Sequence, residues 1–199
     1  MKYTICGKGG SGKSTVTTML AREFARQGKR VLVLDCDESN FGLSQQLGME
    51  LPSFFVDQLG GRGEVSKLMS NGPGELPQVF RNRWTIADIP ADHVSEKDGI
   101  LLMTPGKIRN PNEGCACSFN IALALFLMNL DLAVDDIVLM DMEAGIEHFG
   151  RGSDNSADGI IMVVDPSYES VKLAHKIREI ASQLGKPVYF VLNKVTPEN

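Results

Sequence analysis

A glycine-rich stretch near the start of the chain combines the residue types that bind phosphate. Residues 7–15 read Gly-Lys-Gly-Gly-Ser-Gly-Lys-Ser-Thr and fit the pattern G-x-x-x-x-G-K-[ST]. Glycines allow successive backbone N–H groups to point at one anion, and the helix that follows adds the positive end of its dipole. We expect Lys13 to reach the β- and γ-phosphates of a nucleotide and the Ser14 hydroxyl to bind Mg²⁺. The predicted phosphate-binding residues are Gly7, Lys8, Gly9, Gly10, Ser11, Gly12, Lys13, Ser14 and Thr15.

Aspartates follow two apolar runs that are typical of buried strands. Asp35 and Asp37 come after residues 31–34, and Asp141 follows residues 137–140. An apolar strand that closes on an aspartate is the Walker-B pattern, in which the carboxylate holds Mg²⁺ through water. The sequence therefore predicts that Asp141 belongs to the same nucleotide site as the glycine-rich loop. For Asp35 and Asp37, the alternative to a role in the nucleotide site is to cap the next helix.

A pair of thiols, Cys115 and Cys117, lies in a segment bounded by Gly114. In extended backbone, residues two positions apart share a face, so both thiols could bind one metal ion. Two thiolates do not fill a tetrahedral or square-planar shell, but a two-fold axis relating two copies of the pair supplies four. The pair therefore predicts a metal ion on the axis of a homodimer. The alternative is a pair of buried structural thiols.

The elements that must position these residues alternate between strands and helices. Residues 2–6 and 31–34 are apolar runs of strand length, and residues 14–27 have helical spacing and end before Gly28. This order is a βαβ unit, which is typical of a parallel sheet. Further strands are predicted over 84–89, 99–103, 137–140, 159–164 and 188–192, further helices over 119–130 and 168–184, and one or two short helices within 51–83.

The predicted fold is α/β, with a mostly parallel central sheet and helices on both faces. In such sheets ligands bind outside the carboxyl ends of the strands, where the loop and the aspartates both lie. The length of 199 residues suits a single domain over 1–199 with a full core.

The composition of 43% apolar and 23% charged residues is that of an ordinary globular domain, and the net charge of −5 provides no basic surface for nucleic acid. No apolar run is long enough to span a bilayer, and no signal segment precedes the glycine-rich loop. The four cysteines are then more readily explained as ligands or buried thiols than as disulfides. We therefore expect a cytoplasmic protein that binds neither nucleic acid nor membrane.

The extra lysine Lys8 gives the loop the form K-G-G-x-G-K-[ST], which resembles the deviant P-loop of the MinD, ParA and nitrogenase iron protein family of P-loop NTPases. The resemblance implies that Lys8 crosses an ATP-linked homodimer interface and contacts the nucleotide of the other subunit. It also implies that Asp37 orients the attacking water, so that Lys8, Lys13 and Asp37 are the catalytic residues. The alternative for Lys8 is a solvated loop lysine.

Two further assignments are implied by the same resemblance. Asp35 matches a position near the water shell of Mg²⁺. Asn193 and Lys194, after the last predicted strand, resemble the family's adenine-contacting motif. The alternative for Asn193 and Lys194 is a turn at the end of a strand.

Residues 113–117 and 141–152 narrow the resemblance to the CooC-type ATPases, which insert nickel into carbon monoxide dehydrogenase, and to the related AcsF proteins of acetyl-CoA synthase. The resemblance implies ATP/ADP and Mg²⁺ as cofactors, and Ni²⁺ or Zn²⁺ on four thiolates at the dimer interface. It implies an apo-enzyme of carbon monoxide dehydrogenase or acetyl-CoA synthase as the client. Family chains continue beyond Asn193 with another strand and closing helices, so the chain is expected to be a truncated or a short member.

Two other functions stay open. An iron–sulfur electron-transfer ATPase like the nitrogenase iron protein takes its cysteines from two separate segments, whereas here both lie in one Cys-x-Cys. A positioning ATPase like MinD or ParA needs a membrane-binding tail or a basic surface for DNA. The tail is not evident in the sequence, and the net charge of −5 argues against the basic surface.

Overall fold

A seven-stranded sheet organises the protein, as seen in a computed structural model that describes residues 1–70, 77, 80, 82–110, 116–145 and 156–196. The strands are β1 (Lys2–Gly7), β2 (Arg30–Asp35), β3 (Ser95–Lys97), β4 (Ile100–Met103), β5 (Asp136–Asp141), β6 (Gly159–Val164) and β7 (Val188–Leu192). Their order across the sheet is β3-β4-β2-β5-β1-β6-β7. All neighbours run parallel except β3, which is antiparallel to β4.

Helices cover both faces of the sheet. They are α1 (Lys13–Arg26), α2 (Gly42–Leu47), α3 (Phe55–Gln58), α4 (Gly61–Ser70), α5 (Cys117–Asn129) and α6 (Tyr168–Gln183). One face packs on α1 and α2 through side chains such as Val31 and Val33. The other face packs on α5 through Leu32 and Leu34 and on α6 through Met162. The central strands are apolar on both faces because both faces are covered, and this confirms the predicted α/β fold.

The predicted strand over 84–89 is wrong. Trp84 makes one isolated bridge to Leu130, and Ile86–Asp88 is a turn of 3₁₀ helix. A capping box closes this turn, because the Thr85 side chain accepts from the Asp88 N–H and the Asp88 carboxylate accepts from the Thr85 N–H at 2.7 Å. The apolar residues of the run pack into an aromatic cluster with Phe55 and Phe126, so they were read correctly as buried but incorrectly as a strand.

Candidate functional site

The glycine-rich loop joins β1 to α1 and has the geometry of a phosphate cradle. Gly7 lies at φ 156°, and a Cβ there would be 2.6 Å from the Val163 carbonyl oxygen. Gly12 lies at φ 99° and directly precedes α1, which has no side-chain cap at its N-terminus. The first N–H groups of α1 are therefore open to an external anion. Lys13, the first residue of α1, is buried in the floor of the loop.

Asn193 and Lys194, which follow β7, donate hydrogen bonds to the backbone of the phosphate loop. The Asn193 amide donates to the Ser11 carbonyl oxygen at 2.8 Å, and the Lys194 ammonium donates to the Gly10 carbonyl oxygen at 2.6 Å. A Cβ on Gly12 would be 2.3 Å from the Asn193 amide nitrogen, and the φ of 99° is one that favours glycine, so a larger residue here would displace Asn193 and strain the backbone. Both side chains thus contact the phosphate-binding loop, and their predicted contact with adenine stays a prediction.

Asp35 and Asp141 end neighbouring strands and are paired in register. Burial raises the pKa of each carboxyl to about 6. Around Asp141, the Ser14 hydroxyl and the Lys13 ammonium oppose this rise. Thr17 donates to Asp141 Oδ1 at 3.1 Å, whereas Asp141 Oδ2 is buried without a hydrogen-bond partner in the described part of the chain. An unpartnered buried carboxylate oxygen beside a serine hydroxyl is a suitable place for a divalent cation.

Asp35 makes a buried ion pair that the sequence did not indicate. The Lys107 ammonium lies 2.7 Å from Asp35 Oδ1, and both side chains are essentially inaccessible to solvent. Asp35 Oδ2 has no hydrogen-bond partner among the described residues. One oxygen of the Asp35 carboxylate is therefore already paired with Lys107. Oδ2 is the oxygen left for the predicted contact with the water shell of Mg²⁺.

The loop after β2 brings Asp37 to the phosphate loop. Asp37 Oδ1 accepts hydrogen bonds from the Ser39 N–H at 3.0 Å and the Ser39 hydroxyl at 2.7 Å. The Asn40 amide donates to the Ser14 hydroxyl oxygen at 3.2 Å. A cleft of about 660 Å³ lies between the phosphate loop and the loop after β2. Its lining is Gly9, Gly10, Gly12, Lys13, Ser14, Thr15, Asp37, Ser39, Asn40, Gln46, Ala144, Asn193 and Lys194. The fold therefore places most of the predicted nucleotide residues around one cavity, whereas Gly7, Lys8, Ser11, Asp35 and Asp141 are absent from its lining.

Lys8 is absent from the lining of this cleft. Its ammonium donates to the Ser167 hydroxyl oxygen at 3.1 Å and lies 3.7 Å from the Glu169 carboxylate. Ser167 is the N-cap of α6 and itself donates to Asp165 Oδ1 at 2.5 Å. Lys8 therefore does not contact the phosphate site of its own subunit in this structure.

The thiol pair is described only in part. Cys117 is the first residue of α5 and is exposed, whereas Cys115 lies outside the described residues. Residues 146–152, which also carry the resemblance, lie outside them too. Within the ranges that the structure describes, no group of three or more His, Cys, Asp or Glu side chains could hold a metal ion. The shared metal site stays a prediction.

Sequence reasoning missed Lys107, Asn40 and Thr17 at the site. Thr17 could have been found, because it lies one helical turn after Lys13 and therefore on the same face of α1. Lys107 follows the carboxyl end of β4, where ligands of parallel sheets gather, but nothing in the sequence indicates that its side chain is buried.

Fold and site together define a P-loop NTPase of the parallel-sheet type. The model of the CobQ/CobB/MinD/ParA nucleotide binding domain matches residues 3–199, and the chain belongs to this family. It is an ATP-binding and ATP-hydrolysing member.

Several known proteins are similar to it. An uncharacterised ATP-binding protein of Methanocaldococcus jannaschii is 49% identical over 199 residues, which is 100% of this chain and 80% of that protein. The carbon monoxide dehydrogenase accessory protein CooC of Rhodospirillum rubrum is 32% identical over 98% of this chain and 74% of that protein. Among solved structures, the septum site-determining protein MinD of Pyrococcus horikoshii, complexed with Mg-ADP, matches with a TM-score of 0.67 and 21% identity over 99% of this chain and 74% of that one.

None of the described helices has the length and apolar character needed to cross a bilayer.

Proposed function

We propose that the protein is an ATP-driven metallochaperone, in which two copies close over ATP and share a metal ion that is then passed to an apo-enzyme. The similarity to CooC over nearly the whole chain supports this function, because that relative is a carbon monoxide dehydrogenase accessory protein. The observation that carries the proposal is the Cys-x-Cys pair, with Cys117 exposed at the start of α5. The client would be an apo carbon monoxide dehydrogenase or acetyl-CoA synthase.

The nucleotide would lie in the cleft beside the phosphate loop, with Mg²⁺ held by the Ser14 hydroxyl and, through water, by Asp141. The residues fit the ion, because Asp141 Oδ2 is buried without a partner among the described residues. When bound, Mg²⁺ neutralises charge on the β- and γ-phosphates. The single sheet that includes all seven described strands supports residues 1–199 as one ATPase domain.

Hydrolysis would use three side chains. Lys13 binds the phosphates from the floor of the loop, and Asp37 orients the attacking water from the cleft wall. Phosphoryl transfer to water depends on positioning and charge stabilisation, so a further cation is valuable in the transition state. Lys8 of the partner subunit would supply that cation, and its absence from the lining of its own cleft supports this role.

The metal is cargo in this scheme. Cys115 and Cys117 of each subunit would together supply four thiolates to Ni²⁺, with Zn²⁺ as a competing ion. The metal and the nucleotide would then favour the same closed dimer, which couples ATP hydrolysis to metal release.

Replacing Cys115 and Cys117 together by serine tests the proposal. We expect the double variant to lose metal-driven dimerisation and to keep ATP binding, because the phosphate loop is unchanged. Metal content is measured by elemental analysis and dimerisation by light scattering with a non-hydrolysable ATP analogue. The control is Cys6→Ala, since the Cys6 thiol is fully buried and cannot reach a shared ion. One Ni²⁺ or Zn²⁺ per dimer at unchanged affinity in the double variant would refute the site.

A MinD-like positioning ATPase is the second candidate. MinD of Synechocystis is 26% identical over 96% of this chain and 63% of that protein, and this similarity favours the candidate. Sedimentation with lipid vesicles or DNA separates the two functions, because the metallochaperone should bind neither. An iron–sulfur ATPase would show a visible absorption band after anaerobic reconstitution, which a Ni²⁺ or Zn²⁺ protein lacks.

A further inference from the structure

Lys107 is a lysine whose side chain is completely buried. It follows β4 in the segment over residues 104–108, and its ammonium lies 2.7 Å from Asp35 Oδ1. The same ammonium donates to the carbonyl oxygens of Asp37 and Asn40, each at 2.5 Å. An ammonium group has three protons and no acceptor. Three protein oxygens therefore satisfy it without any need for water.

These three oxygens belong to the end of β2 and to the two ends of the loop over residues 37–40. One ammonium thus draws together two carbonyl groups that are three residues apart. Stability gives little reason for such an arrangement, because a buried ion pair often contributes no more than apolar side chains of similar volume. Its specific effect is on shape, since it fixes how the loop closes.

The loop that Lys107 holds carries the chemistry of the site. Asp37 lines the nucleotide cleft, and Asn40 donates to the Ser14 hydroxyl oxygen at 3.2 Å. Lys107 is absent from the lining of that cleft, so it acts on the nucleotide only through the loop. A displacement of the loop by about 1 Å is enough to cost about 100-fold in rate when it carries a reacting or orienting group.

The segment that carries Lys107 is itself firmly held. The Thr104 hydroxyl donates to the Asp35 carbonyl oxygen at 3.0 Å, and the Ile108 N–H donates to the Glu38 carbonyl oxygen at 3.1 Å. Gly106 lies so close to α5 that a Cβ there would be 2.3 Å from the Phe119 ring. The ammonium is therefore presented to the loop from a rigid support.

We propose that Lys107 is a positioning residue for ATP hydrolysis, which fixes the loop over residues 37–40 so that Asp37 faces the γ-phosphate. The inference rests on the proposed role of Asp37. Asp37→Asn tests that role separately: full turnover in this variant would refute the role of Asp37, whatever the Lys107 variants show.

The test replaces Lys107 by methionine together with Asp35→Asn, so that no unpaired charge is left in the core. We expect kcat to fall about 100-fold while the KM for ATP stays within about threefold, because the phosphate loop is untouched. Hydrogen exchange of the amides in residues 37–42 should become faster. The matched control is Lys2→Met, which removes an ammonium that donates to the Leu127 and Leu130 carbonyl oxygens away from the site. It should keep wild-type kcat.

A folded double variant with kcat within about threefold of the wild type would overturn the proposal. Lys107→Arg is measured beside the double variant, because it leaves Asp35 in place and keeps a positive charge opposite it, so a fall in kcat there cannot come from the loss of Asp35. It also decides if the double variant does not fold. The planar guanidinium cannot direct three protons at the same three oxygens, so kcat should fall about tenfold with KM unchanged. Wild-type kcat in that variant would equally overturn the role of Lys107.

Discussion

Lys8 offers the sharpest test of how this ATPase works, because it does not line the nucleotide cleft of its own subunit and its proposed role is in the cleft of the partner subunit. In this structure it contacts Ser167 at 3.1 Å and lies 3.7 Å from Glu169. The side chains of Lys8 and Glu169 are 39% and 71% exposed, so the ion pair is a surface pair. Such pairs contribute about 0–1 kcal/mol.

The variant Lys8→Ala should therefore be nearly as stable as the wild type. A loss of about 1 kcal/mol at most corresponds to a fall of about 2–4 °C in Tm for a domain of this size. ATP binding by the separate subunit should be unchanged, since Lys8 does not line the cleft. Turnover should fall by about 10²–10³, the usual cost of removing one group that stabilises charge in the transition state.

Mixing two inactive variants distinguishes action across the interface from action within one subunit. A dimer of Lys8→Ala and Asp37→Asn chains has one complete site, in which the Lys8→Ala chain provides Asp37 and its partner provides Lys8. Half of the dimers in an equal mixture are of this kind, so phosphate release should recover to roughly a quarter of the wild-type rate. No recovery in a mixture that light scattering shows to be dimeric would refute the reasoning, as would full turnover by Lys8→Ala alone.

Two further predictions concern the core of the site. Burial raises the pKa of Asp141 to about 6, from 3.8 in the unfolded chain, so its stabilising contribution is present below about pH 4 and is lost as the pH rises through 6. The free energy of unfolding of the metal-free protein should thus fall by about 3 kcal/mol from this group by pH 7. Asp141→Asn should remove that part of the pH dependence, which is measured by urea unfolding with EDTA from about pH 4.5 to 7.5. An unchanged pH dependence would contradict the assignment. Gly106→Ala should cost about 1–3 kcal/mol by overpacking against Phe119, and Phe119→Leu should relieve it in the double variant; wild-type stability in Gly106→Ala would show that α5 yields easily.

Local patterns were sufficient for much of the fold. Strands over 31–34, 137–140 and 159–164 were predicted from continuous apolar runs, because a strand that is covered on both faces has no polar side. The helix over 168–184 was predicted from its amphipathic spacing and lies over Tyr168–Gln183. The run over 84–89 was misread because a buried 3₁₀ turn and a buried strand require the same apolar side chains.

By itself the sequence determined the phosphate loop and its neighbours, because the backbone geometry of that loop depends on glycines at fixed local spacing and on the helix that follows directly. It also indicated that Asp37 and Asp141 lie at or just after the carboxyl ends of two strands. In a parallel sheet the carboxyl ends of the strands all lie at the same edge. The contacts of the Lys8 side chain depended on the tertiary structure, which brings the N-terminus of α6 beside it. So did the burial of Lys107, because its partners Asp35, Asp37 and Asn40 are distant in the chain and meet it only where β4 lies next to β2. A lysine is solvated unless three oxygens converge on it, and that convergence depends on which strands are neighbours.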